Sequence, residues 1–190
     1  DKNTLFATLY QKAMAGDRDC GGMIACNYYS GEPVTGLEEG RPMFLRRPDS
    51  HLGLANFMRS HLYASLATLK IGLDILLKEE DVKIDSITGH GGLFKTKGVG
   101  QSILAAAMNA PISVMETAGE GGAWGMALLA AYMLFKKDGQ SLGDYLDSRV
   151  FAERKSETME PDPADVAGFE TYTKQYQACL AAEKAAVQAF

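Results

Sequence analysis

Residues 85–98 read DSITGHGGLFKTKG. The run KIDSIT, 83–88, has strand character and VGQSILAAAMNA, 99–110, has the spacing of a short helix, so Gly89, Gly91 and Gly92 fall at a strand-to-helix junction. Glycine at such a junction accepts a positive φ and lets the backbone come close to a ligand. The helix that follows turns its unpaired N–H groups toward the same loop, a setting that favours an anionic phosphate. A second cluster, TAGEGGAWG at 117–125, comes after the strand candidate PISVME, 111–116. Open α/β sheets bind ligands at the carboxyl ends of their strands, so two such loops on one rim describe the two walls of a nucleotide cradle. Neither cluster is a standard phosphate motif. GHGGLFKTKG lacks the Gly-Lys-Ser/Thr that ends a P-loop, and Trp124 stands where the last glycine of GxGxxG belongs. Glycine also caps ordinary loops, so on this stretch alone a structural turn and a nucleotide site both stay open.

Outward from the junction, strands alternate with helices. Leu5, Leu9, Tyr10 and Ala13 have helical spacing and Gly16 ends that run. CGGMIACNYY, 20–29, and MFLRR, 43–47, read as strands around the turn chemistry of SGEPVTGLEEGRP. Leu62, Leu66, Leu69, Leu73 and Leu76 predict one apolar stripe on a long helix from Leu54 to Glu80. AWGMALLAAYMLFKK, 123–137, predicts a strongly apolar helix suited to packing on a sheet, and after SLGDYLDSR the segment ETMEPDPAD reads as a proline-punctuated turn before a last long helix. This alternation favours a layered α/β domain.

Composition narrows the function classes. The 190 residues carry 46% hydrophobic side chains, enough for one self-contained core, and a formal net charge of -5 with no basic run beyond Arg46-Arg47 and Lys136-Lys137. Neither a nucleic-acid partner nor an anionic membrane surface is expected. Cys20, Cys26 and Cys179 are odd in number and lack metal spacing, which points to a reduced compartment, the cytoplasm, and to no structural zinc. No signal core or membrane-spanning run is visible, and the chain opens on Asp1 rather than methionine, as a piece of a longer polypeptide would.

The order of segments is more specific than any one of them. YYSGEPVTGLEEGRP (28–42), the long helix and glycine turn (54–92), APISVMETAGEGGAWGMALLAAYM (110–133) and ETMEPDP (157–163) together resemble the C-terminal half of the FGGY carbohydrate kinases. In that family a YLSGERxP loop precedes a long helix, a GGG loop follows a strand, a short helix ends at xPV, and an ExxALGAAxLA helix comes next. The matching residues are Tyr29-Ser30-Gly31-Glu32, Gly91-Gly92-Leu93, Pro111-Ile112 and the run from Glu120 to Ala130. Leu93 replaces the third glycine of GGG, and Val99 or Gly100 replaces the usual aromatic of the helix that follows.

The resemblance implies an actin-like ATPase (RNase H-like) α/β domain, a mixed sheet flanked by helices, spanning 1–190 as the nucleotide-binding C-terminal domain of a sugar kinase whose N-terminal domain is not included. It implies ATP with Mg2+, Gly91 and Gly92 near the phosphates and ribose, Thr96 near adenine, and Glu120 and Gly121 on the neighbouring loop. The catalytic aspartate, a threonine-containing phosphate loop and most sugar contacts belong upstream, so no catalytic residue and no metal ligand is assigned here. A pentulose such as xylulose or ribulose, or a related polyol or sugar acid, is the implied acceptor, and a homodimer stays open. The competing readings are an actin-like nucleotide switch without kinase activity and an interaction domain that binds no nucleotide.

Other residues have plain structural roles. His90 reads as a solvated or capping residue of the turn, and Asp17, Asp19, Glu38 and Glu39 as solvated loop acids. Lys95 and Lys97 suit phosphate or bare surface equally, Glu32 is expected to order its turn by accepting backbone N–H bonds, and Trp124 to pack in the core.

Overall fold

A computed structural model of the chain describes residues 1–84, 86–115, 121–152 and 156–189. Its elements follow in the order α1 (Lys2–Ala13), β1 (Met23–Cys26), β2 (Met43–Arg46), α2 (Leu54–Lys78), β3 (Ile87–Gly89), α3 (Val99–Met108), β4 (Ile112–Met115), α4 (Gly121–Phe135), α5 (Leu142–Tyr145), β5 (Ser156–Met159) and α6 (Pro163–Ala189). β1 and β2 pair as an antiparallel ribbon with Ile24 opposite Leu45. β3, β4 and β5 form a second sheet in that order, with β3 parallel to β4 and β5 antiparallel to it. The domain is thus α/β with a mixed sheet and flanking helices.

α3 carries no charge and only two polar side chains, Gln101 and Ser102, and nine of its ten residues are buried. A helix without a polar face belongs inside a core, and α3 lies between the β3–β5 sheet and α6. It stops at Asn109, whose φ of 49° and ψ of 44° give the left-handed cap that asparagine tolerates. Packed against it, α6 turns one stripe inward: Gly168, Phe169, Tyr172, Thr173, Tyr176 and Glu183. The Tyr63 ring of α2 meets Phe169 at 4.6 Å and Tyr172 at 5.3 Å, so the core between α2 and α6 is largely aromatic.

Among the described residues two charged side chains are buried in this frame, Glu183 on α6, which accepts the Arg41 N–H, and Arg59. Arg59 on α2 is 2% exposed, donates to the Tyr63 hydroxyl, the Gly16 carbonyl and the Asp165 carboxylate, and so ties the end of α1 and the start of α6 to α2. Nearby, Asn56 donates to Asp17 Oδ2 at 2.9 Å while its Oδ1 accepts the Asp17 N–H at 2.6 Å. The bond that Asn56 Nδ2 donates to the Asp17 carboxylate, with a second from His51, holds the Asp17 carboxyl below its ordinary pKa. Asp17 is therefore a structural tie to α2 rather than only a solvated loop acid.

Three expectations need correcting. The leucine stripe of α2 is fully buried only at Leu62 and Leu66; Leu73 packs on the core partly buried, whereas Leu69 and Leu76 are exposed. At 25 residues the helix is about 37 Å long, and its last buried position is Ala67, so its later turns lie at the margin of the core. ETMEPDPAD is not all turn, because Glu157–Met159 lie in β5. That strand is an exposed edge with no apolar alternation, and it is held by pairing to β4, by the Ser113–Thr158 hydroxyl bond of 2.8 Å and by Gln101, whose Nε2 donates to both Ile112 O and Glu157 O.

α4, finally, buries no residue. Trp124 meets Phe151 at 6.0 Å and Tyr132 meets Tyr145 at 5.5 Å, so one side rests on the 140–151 segment, while Met126, Met133, Leu134 and Phe135 are exposed. The sheet face opposite α3 presents Thr88, Ser113 and Thr158 at neighbouring register positions, a row of hydroxyls that offers an apolar helix no burial. No described helix is long and apolar enough to cross a membrane.

Candidate functional site

The turn after β3 is built by three glycines with different duties. A Cβ at Gly89 would lie 2.4 Å from the Phe94 ring, so the strand can end there only without a side chain while Phe94 folds back over it. Gly91 has φ 106° and ψ -175°, a conformation essentially reserved for glycine. Gly92 has no positive φ and meets nothing within 4 Å, so the fold does not need a glycine there. Residues Gly92–Lys95 then make a single 3-10 turn, with the Phe94 N–H bonded to the Gly91 carbonyl at 3.1 Å.

α3 starts from Gly98, at φ 81°, with no side-chain cap. Its first turn lies against the glycine turn: a Cβ on Gly100 would come 2.6 Å from Leu93 O and 2.7 Å from Leu93 Cγ. Gly100 therefore leaves the room that Leu93 occupies, so these two departures from the family pattern lie against each other.

A depression of about 590 Å³ opens between α1 and this turn, lined by Asn3, Thr4, Phe6 and Tyr10 from the helix and by Gly92, Lys95 and Thr96 from the turn. Gln11 of α1 donates to Lys97 O at 3.3 Å and holds the two walls together. A second cavity of about 430 Å³ lies behind Thr96, between Phe94, Gln101 and the β4–β5 edge. Gly92 and Thr96 thus share the larger depression, with Thr96 on the rim of both. Gly91 shapes the turn and lines neither. Gly121 sits beside the same turn, since a Cβ there would be 3.2 Å from His90 Nδ1. Glu120 lies outside the described residues. Lys97 is engaged with Glu157 at 3.1 Å across the exposed edge, and Glu32 accepts the Val34 N–H at 3.2 Å, the turn-ordering role expected of it.

The α1 wall was not anticipated. Its signal was weak: Phe6 and Tyr10, with rings 6.2 Å apart, read as ordinary members of an amphipathic helix, yet Phe6 is 45% exposed and Asn3 and Thr4 prolong its face into the depression. Together the walls offer aromatic surface on one side and glycine backbone on the other. That is a setting for a flat ring with a charged tail.

The model of the C-terminal domain of the FGGY family of carbohydrate kinases matches residues 1–134. The chain belongs to the FGGY family. That match contains the glycine turn, α1 and α3, while β5 and α6 lie beyond it. Among solved structures, xylulose kinase from Lactobacillus acidophilus is similar over 92% of this chain and 34% of its own, with 20% identity and a TM-score of 0.68. Xylulose kinase from Rhodospirillum rubrum follows at 19% identity and TM-score 0.65, covering 93% of this chain and 33% of its own. Plasmodium falciparum glycerol kinase with ADP aligns at 17% identity and TM-score 0.64, again over 93% and 33%. No curated protein sequence matches. These likenesses establish the actin-like ATPase fold of this FGGY domain, which spans about a third of the length of the structures it resembles.

Proposed function

We propose that this FGGY domain is the ATP-binding part of a sugar kinase that moves the γ-phosphoryl of ATP to a sugar hydroxyl, a pentulose such as xylulose or ribulose being the preferred acceptor. The observation that carries the reading is the depression that Gly92 and Thr96 share with α1. Phosphoryl transfer demands positioning and charge stabilisation more than covalent chemistry from the protein. In this reading the backbone of the Gly91–Gly92 turn approaches the phosphates and ribose, Thr96 and the α1 wall receive the base, and Gly121 with Glu120 closes the adjoining side.

Magnesium binds phosphate oxygens together with one or two carboxylates. In this reading the ion sits on the nucleotide's phosphates, and no ligand to it is assigned to this chain. The base that takes the proton from the sugar hydroxyl, and most sugar contacts, are assigned to a second domain.

Gly92→Val tests the site cleanly, because the fold leaves open space at that position. The variant should fold normally by circular dichroism and bind ATP about 5- to 150-fold more weakly, a loss of ~1–3 kcal/mol from a side chain standing where the nucleotide comes close. Undiminished ATP affinity by calorimetry would remove the turn from the site. The acceptor is tested by coupled ADP release over pentuloses, hexuloses, polyols and sugar acids with the full-length parent; ATP hydrolysis that no sugar stimulates would replace the kinase reading with a nucleotide switch.

A further inference from the structure

The depression between α1 and the glycine turn is lined by side chains whose hydrogen-bonding sense is not fixed. Asn3 presents an amide, a donor and an acceptor that exchange places when the group turns over, and Tyr10 and Thr96 present hydroxyls that donate or accept by rotating. None of these three side-chain groups bonds to another described residue, so nothing among those residues sets the sense of any of them. Thr4 gives its hydroxyl proton to Asp1 Oδ2 at 3.2 Å, an exposed bond that a turn of the hydroxyl releases. Lys95 is the one charged side chain among the described lining residues, and it is already engaged within the protein. The apolar part of the lining is aromatic. Phe6 is 45% exposed and backed by Tyr10 at 6.2 Å, while Lys2, which does not line the depression, sits over the Phe6 ring at 5.8 Å, so the other side of that ring is left to the cavity.

We propose that the site takes purine nucleoside triphosphates without telling ATP from GTP, stacking the base on Phe6 and meeting its polar edge with groups that adapt to either pattern. The inference rests on the nucleotide reading of this depression and adds the class of phosphoryl donor to it. Adenine and guanine differ in where they donate and accept: the 6-amino group and bare N1 of adenine stand where guanine has a carbonyl oxygen and an N–H. A site rejects the wrong pattern strongly only when that pattern leaves a buried group of fixed sense unpaired. Here the amide turns over, the hydroxyls rotate, and Asn3 is exposed, so a group that the base does not meet keeps its water. Stacking is equally tolerant, since every base has a π-face. It grows with the area covered, and so favours a purine's two fused rings over the single ring of a pyrimidine.

Calorimetric titration of the 190-residue chain with the magnesium complexes of ATP, GTP and CTP tests this. ATP and GTP should bind within about three-fold of each other, and CTP about five-fold or more weaker than either. Phe6→Ala, at a position exposed enough to leave the circular dichroism spectrum unchanged, should weaken ATP and GTP together by about five-fold and keep their ratio. Asn3→Lys replaces the adaptable amide by a group that only donates. It should move the ratio of ATP to GTP affinity by about three-fold or more, toward GTP where the ammonium meets O6 instead of the 6-amino group, toward ATP where it meets N1 of adenine instead of the N–H of guanine. GTP binding more than about three-fold weaker than ATP, CTP binding as tightly as ATP, or a ratio that Asn3→Lys leaves unmoved each overturns the proposal and leaves the nucleotide reading standing. Binding of none of the three nucleotides removes that reading, and the proposal with it.

Discussion

Gly168 lies in the buried stripe of α6, and replacing it by alanine sets two effects of opposite sign against each other. Alanine in a helix interior is favoured over glycine by about 1 kcal/mol. Here, however, the new Cβ would stand 2.3 Å from Arg18 O and 2.6 Å from Arg18 C, where ordinary contacts are 3.4–4 Å. The obstacle is backbone, so no rotamer change relieves it. α6 would have to retreat by about 1 Å at a point pinned by Arg18–Asp165 at 2.7 Å and by Arg59–Asp165, with Phe169 packed beside it. Overpacking of this kind costs about 1–3 kcal/mol, and a backbone clash between pinned elements belongs at the upper end. The net expectation is a loss of about 2 kcal/mol, a fall of roughly 1 M in the urea midpoint for a slope near 2 kcal/mol/M. Gly72→Ala is the control. Its nearest neighbours are the Val34 methyls at 3.7 and 3.8 Å, ordinary contact, so only the helical gain remains and the midpoint should rise. Both variants are followed by far-ultraviolet circular dichroism through a urea titration. If Gly168→Ala proves as stable as wild type or more so, the close approach of α6 to the Arg18 backbone is wrong and the packing of that helix has to be redrawn.

Arg59→Met should cost about 1–3 kcal/mol in the same assay, because it takes from the nearly buried Asp165 carboxylate one of its two guanidinium partners, Arg18 remaining, and leaves the Gly16 carbonyl without this donor; Arg59→Met with Asp165→Leu should recover part of that loss, and no recovery would show that the carboxylate is not what suffers. Alkaline pH should weaken the fold: burial pushes the Cys26 thiol and the Tyr63 phenol each up to about 12, and raises Cys20, Tyr172 and Tyr176 as well. The unfolded chain releases those protons from about pH 8.5 for thiols and 10 for phenols, so this stability is complete below pH 8.5 and drains away as pH rises toward 12. Urea midpoints that stay level from pH 8 to 11 would contradict the burial of these groups.

The parts of the fold legible from sequence were those with strong local signals. α1, α2, α3 and α6 announced themselves by periodicity, and the strand–glycine–helix junction by composition. β5 was hidden because its stability comes from β4 and from Gln101 rather than from its own side chains. Leu69 and Leu76 misled because periodicity says which face of a helix is apolar but not which positions on that face a partner covers: Leu73 packs on the core and its neighbours on the stripe do not. The glycine turn was correctly located, yet the division of labour within it was not visible: only backbone geometry separates Gly91, which the conformation requires, from Gly92, which it does not. The α1 wall was invisible for a further reason. It joins residues 3–10 to residues 92–96, and a lone sequence carries no record of such long-range meetings.

The place of α6 in the chain has a consequence for synthesis. Phe169, Tyr172 and Tyr176 come late in the sequence, yet they are among the most deeply buried side chains and pack on α2, β1 and α3. Until that helix leaves the ribosome, the inner faces of those earlier elements have no cover. At ~5–20 residues added per second, the interval between the emergence of α3 and of Tyr176 lasts seconds, long compared with collapse of the chain. Nascent molecules therefore pass through a window in which Tyr63, Ile103 and Leu104 are open to chaperones or to one another, and a pause introduced between Met108 and Pro163 should lengthen that window and raise the aggregated fraction without altering the finished protein.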